Sequence, residues 1–183
     1  MLCLSLTSLP SFAEAAQSKA ITFMGQTYNL NKVDKINSGN ALYFAPGQQN
    51  PDHAVDEIIV NFYEQQDKGG NPITPQRLSD SMIAHAQDEG AAIVMPFKIP
   101  DPADKSRYIY FMSHYLVYPE DGNADIWLSK IFQSGNRVVG ILYKHRVDGK
   151  TENAIAENAK AWLAQNAEPY GNALGQIVVP APN

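Results

Sequence analysis

The sequence predicts an α+β domain in which a mainly antiparallel sheet of about five to seven strands packs against two amphipathic helices. Two observations support this prediction. Three β-rich segments between residues 107 and 147 are separated by short turns, a pattern typical of a C-terminal β-meander. Two other segments each begin with a threonine that can cap a helix and continue with apolar residues at helical spacing.

The N-terminal third of the chain contains short β-rich segments. Residues 21–30 alternate apolar and polar side chains around a turn at residues 24–26, which predicts two short strands. A loop or an edge strand is expected at residues 41–45. Residues 58–63 predict a further strand, which ends at the glycine-rich loop 67–72.

Both helices have recognisable starts and ends. The first is predicted to begin at Thr74, whose hydroxyl can accept a hydrogen bond from the first turn, and to end at Gly90, which can adopt a left-handed conformation. The second is predicted to run from Thr151 to about Asn166, with Pro169 ending it. The stripes expected to face the core are Leu78, Met82, Ile83 and Ala86 in the first helix and Ile155, Ala159, Trp162 and Leu163 in the second.

The C-terminal strands follow the first helix. Residues 92–99 are apolar but are interrupted by Pro96, so an edge strand or a bend is expected there. The first meander strand, residues 107–118, has apolar side chains on both faces, which predicts that both faces are covered. Strands at residues 125–132 and 137–147 complete the meander.

Residues 1–15 are predicted to be a cleavable signal peptide. The first thirteen residues have no charged side chain, and a small-x-small cleavage pattern follows at Ala13 and Ala15. The basic region that usually precedes such a segment is missing, which favours an N-terminally incomplete signal. We therefore expect a periplasmic or secreted protein with one domain over residues 16–168 and a C-terminal tail over residues 169–183.

The composition limits the cellular compartments and the classes of binding partner that are expected for this chain. The only cysteine, Cys3, lies in the predicted signal peptide, so the mature chain is expected to lack cysteine, which favours a bacterial envelope over a disulfide-stapled eukaryotic secreted domain. The net charge of −5 argues against a nucleic-acid partner, whose binding surface would be basic. No later segment approaches the roughly 18 apolar residues of a membrane helix, so no membrane span is predicted.

A cluster of possible metal ligands precedes the strand at residues 58–63. It gathers three carboxylates and one imidazole, which are ligand types that divalent metals accept. The spacing fits no recognised metal site, and polar clusters between periodic segments are usually loops. We therefore predict no metal and no other cofactor, and the candidate ligands are Asp52, His53, Asp56 and Glu57.

Two histidines of the meander are the catalytic candidates. His114 and His145 lie on strands of the same meander and could meet across the sheet, together with Tyr110 or Tyr143. The alternative is that each histidine is hydrogen-bonded on a half-buried face. The chain contains no G-x-S-x-G or S-x-x-K motif, so the sequence favours no catalytic function.

The meander is also rich in aromatic side chains. If part of its surface is exposed, tyrosine and tryptophan would form a contact surface for a protein partner, and the alternative is that the helices cover these residues as core. The candidate binding residues are Tyr108, Tyr110, Tyr118, Trp127 and Tyr143.

Three functions remain open from the sequence. The leading hypothesis is an exported, non-catalytic protein-binding domain, such as an inhibitor, an immunity-type protein or an accessory subunit of an envelope machine, with another protein as its partner. One alternative is a cell-envelope hydrolase with a dispersed histidine and carboxylate, which predicts such a pair within hydrogen-bond reach in a pocket. Another is a small-ligand carrier, which predicts an apolar cavity beneath the helices.

Overall fold

The structure, a computed structural model, describes residues 20–47, 54–177 and 179, without the side chains of residues 93 and 94. These residues form one eight-stranded antiparallel sheet, in the strand order β1-β2-β3-β4-β8-β7-β6-β5, and two helices. The predicted fold class is confirmed, and the sheet has more strands than expected. The elements are β1 (Ala20–Phe23), β2 (Gln26–Ile36), β3 (Gly39–Pro46), β4 (Asp56–Tyr63), α1 (Pro75–Asp88), β5 (Ala92–Pro100), β6 (Tyr108–Tyr118), β7 (Asn123–Ser134), β8 (Arg137–Asp148) and α2 (Glu152–Gln176).

The additional strand is β3, which lies inside the sheet between β2 and β4 rather than at an edge. Its start depends on Gly39, which has a φ of +154°. A Cβ atom at this position would collide with the carbonyl oxygen of Phe62 on the neighbouring strand β4. Glycine therefore permits the close approach of β3 to β4. Because glycine is also typical of turns, Gly39 does not by itself indicate the start of a strand.

The two helices cover opposite faces of the sheet. Cross-strand partners share a face, and successive residues alternate between faces. Phe62 packs with the core beneath α2, whereas its neighbour Tyr63 lines a cleft with Arg77 and Leu78 of α1. We call these two sides the α2 face and the α1 face. The predicted edge position of β5 is confirmed, since β5 is the last strand of the sheet.

The main core lies on the α2 face. Four buried residues of α2 pack against the central strands, as the predicted stripe requires, although Trp162 is only half-buried. Apolar burial of this kind is the dominant favourable contribution to folding in general. The buried helix residues are Ile155, Ala159, Leu163 and Leu174, and their partners include Ile58, Val60, Ile126, Leu128, Val139, Ile141 and Tyr143.

Helix α2 continues through Pro169 to Gln176, although this proline was expected to end it. A proline inside a helix removes one backbone hydrogen bond and is about 3 kcal/mol less favourable than alanine. Beyond the proline, Leu174 is fully buried and Tyr170 packs against the same core. We infer that this tertiary packing outweighs the local preference of proline.

The start of each helix matches the prediction. The Thr74 hydroxyl accepts a hydrogen bond from the backbone N–H of Arg77 at 3.2 Å, and the Thr151 hydroxyl accepts one from Ala154 at 3.2 Å. Helix α1 ends at Asp88, and Gly90 just beyond it has a φ of +80°. Among the residues that the structure describes, no helix is both long enough and apolar enough to cross a membrane.

Candidate functional site

Exposed apolar side chains concentrate on the edge strand β5. Met95, Phe97 and Ile99 are 56%, 48% and 41% exposed, and because they alternate along the strand they lie on one face. Phe97 pairs with Phe111, which pairs with Lys130, and the Lys130 ammonium bonds to the C-terminal end of α2. The three side chains therefore lie on the α2 face, beside the helix end. We call them the β5 strip.

The β5 strip is anchored to the core by a ring contact. The rings of Phe97 and Phe111 are stacked, with centroids 4.9 Å apart and an interplanar angle of 8°. Phe111 is buried, so it restricts the ring of Phe97 although about half of Phe97 faces solvent. A contact residue that is already ordered loses little conformational entropy when it binds.

The outer backbone of β5 is poor in hydrogen-bond donors. The N–H of Asp101 donates to the carbonyl of Arg107 at 3.0 Å, which continues the β5–β6 ladder. By the two-residue period of antiparallel pairing, Pro96, Lys98 and Pro100 direct their backbone groups away from β6. Two of these three residues are prolines, so between residues 96 and 100 this edge presents three carbonyl groups but only the N–H of Lys98.

The α1 face of the same edge carries two of the predicted binding residues. Tyr108 is 41% exposed and Tyr110 is half-buried. The ammonium of Lys98 lies over both rings, 4.5 Å from the centroid of Tyr108 and 6.0 Å from that of Tyr110. This cation–π contact directs the Lys98 charge away from the β5 strip.

A second polar cluster lies on the α2 face between β4 and β8. Asp56 Oδ1 accepts a hydrogen bond from the Tyr143 hydroxyl at 2.5 Å and lies 2.8 Å from Nδ1 of His145. Burial opposes ionisation of Asp56, but the hydrogen bonds from His145 and Tyr143 outweigh it and keep the pKa of this carboxyl below its ordinary value. Burial and the bond to Asp56 raise the pKa of Tyr143 well above its ordinary range.

The orientation of His145 is fixed from two sides. An ionised carboxylate only accepts hydrogen bonds, so Nδ1 of His145 is the donor in this pair. The imidazole also stacks on Trp162 of α2, with ring centroids 4.5 Å apart. The side chains of His145 and Asp56 are 18% and 26% exposed. A histidine held by a carboxylate in this way is the orientation that general acid–base catalysis uses.

The α1 face carries a different row of polar residues. Glu57 and Lys144 form a buried ion pair at 2.8 Å, and the Lys144 ammonium lies 5.8 Å from the ring centroid of Trp127. Trp127 in turn stacks near His114, with centroids 6.4 Å apart. Burial, with a smaller effect of nearby His85, lowers the pKa of His114 to about 4, so this imidazole is neutral at pH 7.

The two catalytic candidates do not meet. His114 pairs with Trp127, which pairs with Lys144, so His145 is one residue away from that row and lies on the other face of the sheet. The two histidines therefore do not meet across the sheet, although such a meeting was one of the two possibilities left open by the sequence. The structure instead brings together His145, Tyr143 and Asp56, of which Asp56 was considered only as a metal ligand.

The same alternation separates the metal candidates. Asp56 binds His145 on the α2 face, and Glu57 binds Lys144 on the α1 face. Asp52 and His53 lie outside the described residues. Within the described ranges, no group of three or more His, Cys, Asp or Glu side chains is placed to hold a metal ion.

The aromatic binding candidates also divide between the faces. Tyr108, Tyr110, Tyr118 and Trp127 share the α1 face by their register, whereas Tyr143 is 1% exposed in the core of the α2 face. Tyr143 therefore cannot belong to a common contact surface with the other four. The β5 strip was not predicted from the sequence: Pro96 indicates an edge strand or a bend, and the alternation of Met95, Phe97 and Ile99 does not show whether these side chains are covered.

A cleft of about 370 Å³ lies elsewhere, between the start of α1 and the turn after β2. Its lining mixes apolar residues with polar groups such as Asp67 and Arg77. The Asp67 carboxylate is bonded to Asn71, and the Arg77 guanidinium donates to the carbonyl of Pro72 at 2.6 Å. These polar groups are thus occupied by local loop contacts.

Comparison with known proteins adds no function to this geometry: no protein-family model matches the chain, and a search of curated proteins gave no match.

Proposed function

We propose that this chain is an exported, non-catalytic protein-binding domain that contacts its partner through the β5 strip. The observation that carries the proposal is the exposure of Met95, Phe97 and Ile99 together on one face of an edge strand. Export rests on the signal-like pattern of residues 1–15. An inhibitor, an immunity-type protein or an accessory subunit of an envelope machine would each need such a surface.

The energetics of the strip favour a contact surface. Complete burial of a Leu, Ile, Phe or Met side chain is worth about 1.5–3 kcal/mol, and these three side chains retain about half of that gain unused. A partner that covered all three would therefore obtain a few kcal/mol from the strip alone. The stacking of Phe97 on Phe111 reduces the entropy that such a contact would lose.

The proposal is tested by affinity capture from an envelope extract of the source organism. The bait is the tagged chain from Ala16 onward, compared with Phe97→Asp and with Val33→Asp. Val33 is 56% exposed on β2 near the opposite end of the sheet, so its substitution adds the same charge at an equally exposed position. We expect one stoichiometric partner that the wild type and Val33→Asp retain and that Phe97→Asp loses.

Two results would count against the proposal. Retention of the partner by Phe97→Asp would place the contact surface elsewhere on the molecule. Recovery of no partner by any of the three baits would remove the support for a binding function.

The pair of His145 and Asp56 favours a second candidate function, a cell-envelope hydrolase. The hydrolase hypothesis requires a histidine that is hydrogen-bonded to a carboxylate. His145 Nδ1 lies 2.8 Å from Asp56 Oδ1 and meets this requirement. His114 provides a matched control because it lies on the opposite face. In an assay with ester, peptide and glycan substrates, a hydrolase would lose turnover in His145→Gln and keep it in His114→Gln. No turnover by the wild type would remove this candidate.

A further inference from the structure

The outer edge of β5 differs from an ordinary sheet edge in the balance of its backbone groups. An added strand needs alternating donors and acceptors along the edge it joins. Here Pro96 and Pro100 replace two of the three outward N–H groups, and a bulge between Ile93 and Met95 interrupts the start of the strand. A strand partner would leave its own carbonyl groups without donors, at about 1–3 kcal/mol for each buried group.

The acidic and basic side chains of the turn after β5 balance, with Asp101 and Asp104 against Lys105 and Arg107, so the outward carbonyl groups of β5 are the electronegative feature that favours a cationic occupant. Asp101 follows β5 directly and Asp104 lies in the same turn, where Asp104 pairs with Arg107 at 3.0 Å. The two lysines closest to the strip along the sheet are engaged elsewhere. Lys98 lies over the tyrosine rings on the α1 face, and Lys130 is buried and donates to the carbonyl of Gly175 at 2.7 Å.

We propose that the segment received at the β5 strip is a cationic and apolar protein segment. Its apolar side chains cover the β5 strip, and its arginine or lysine side chains donate hydrogen bonds to the outward carbonyl groups of Pro96, Lys98 and Pro100. Arginine fits best because its guanidinium offers five donors and no acceptor. The inference rests on the proposed function and specifies the chemistry of the partner.

The test uses synthetic peptides and the full chain. One short peptide alternates arginine and leucine, a second replaces arginine with citrulline, a third replaces it with glutamate, and a fourth alternates threonine and valine as a strand-forming probe. Dissociation constants are measured by fluorescence anisotropy at about 0.15 M salt. We expect the arginine peptide to bind about tenfold more tightly than the glutamate and threonine–valine peptides. The affinity of the citrulline peptide should lie between that of the arginine peptide and those of these two peptides.

Matched variants separate the strip from general attraction between opposite charges. Phe97→Asp and Met95→Asp add negative charge at the strip, so non-specific attraction of a cationic peptide would strengthen in both. We expect both to weaken arginine-peptide binding by about tenfold, or about 1.4 kcal/mol, and Val33→Asp to leave it within about twofold. Circular dichroism spectra identify any variant that fails to fold. If one of the two strip variants fails, the binding measured for the folded variant decides the test.

Each result bears on the inference. Equal or tighter binding of the glutamate or threonine–valine peptide would overturn it, as would arginine-peptide binding that survives both strip variants. If Phe97→Asp loses the captured partner while the arginine peptide does not bind, the inference of a cationic segment is wrong and the proposed function stands. If the capture experiment also fails, both are wrong.

Discussion

Asp56 and Glu57 are neighbours in β4, yet their environments differ. Each carboxylate pairs with a basic residue of β8 at 2.8 Å, Asp56 with His145 and Glu57 with Lys144. The side chains of Asp56 and His145 are 26% and 18% exposed, whereas those of Glu57 and Lys144 are only 4% and 9% exposed. Because successive residues point to opposite faces, one step along the strand separates a reachable acid–base pair from a buried ion pair.

The comparison indicates how the two pairs should be interpreted. A buried ion pair contributes little beyond the cost of desolvating its charges, but removal of one partner leaves an uncompensated charge inside the protein. A partly exposed pair with a fixed histidine is less important for stability and is accessible to other molecules. We therefore expect Glu57 to matter most for folding and His145 to be the better candidate for chemistry.

The largest effect is expected for Glu57→Gln. The substitution leaves the Lys144 ammonium buried without its carboxylate, so the free energy of unfolding should fall by about 3–5 kcal/mol. Urea denaturation measures the change. The double variant Glu57→Leu with Lys144→Met removes both charges and should recover most of the loss, and a single-variant loss below about 1 kcal/mol would contradict the buried pair.

The next largest loss in the free energy of unfolding is expected for Trp162→Ala. Trp162 packs on the α2 face and stacks on His145, so its removal opens a cavity beside the reachable pair. We expect a loss of about 3 kcal/mol, at the low end for tryptophan because the side chain is half-buried. Thermal or urea unfolding provides the measurement, with Lys160→Ala on the exposed side of α2 as the control. A Trp162→Ala variant as stable as this control would show that α2 packs differently.

The pH dependence of stability tests the α1 face. His114 has a pKa of about 4 in the fold and 6.5 as its ordinary value, so the unfolded chain binds the proton first as the pH falls. This difference should lower the free energy of unfolding by about 2 kcal/mol between roughly pH 7 and pH 5. Urea titrations of the wild type and His114→Leu should diverge by this amount, and parallel curves would contradict a neutral buried imidazole.

The smallest effect is expected for Asp56→Asn. The lost carboxylate accepts bonds from Tyr143 and His145 but is partly solvated, so we expect about 1–2 kcal/mol at neutral pH. Since the pKa of Asp56 is lowered in the fold, its stabilisation is present above pH 3.8 and is lost as the pH falls through the folded-state pKa. The difference between wild type and variant in chemical denaturation should shrink accordingly. A difference that grows in acid would contradict the prediction.

The sequence predicted well where local signals and tertiary packing agree. Thr74 and Thr151 cap the helices as expected, and the meander strands appear at the expected positions. It failed where packing overrides a local preference, as at Pro169 in α2.

The candidate site was less predictable because it depends on the strand order. The pairing of β4 with β8 brings Asp56 to His145, and no local spacing indicates it. Periodicity could have found the β5 strip, but exposure of its side chains depends on where the helices lie. Periodicity alone could not place His114 and His145 on opposite faces, because that assignment requires the register of the meander strands.

The central position of β8 has a consequence for how the chain folds. Asp56 and His145 are 89 residues apart in the sequence, and the strands that carry them lie side by side in the middle of the sheet. Neighbouring strands such as β2 with β3 and β7 with β8 are joined by tight turns and can form early, whereas the pairing of β4 with β8 requires closure of a long loop. Proteins dominated by such distant contacts fold in milliseconds to seconds. The middle of this sheet should therefore assemble last, from two preformed halves.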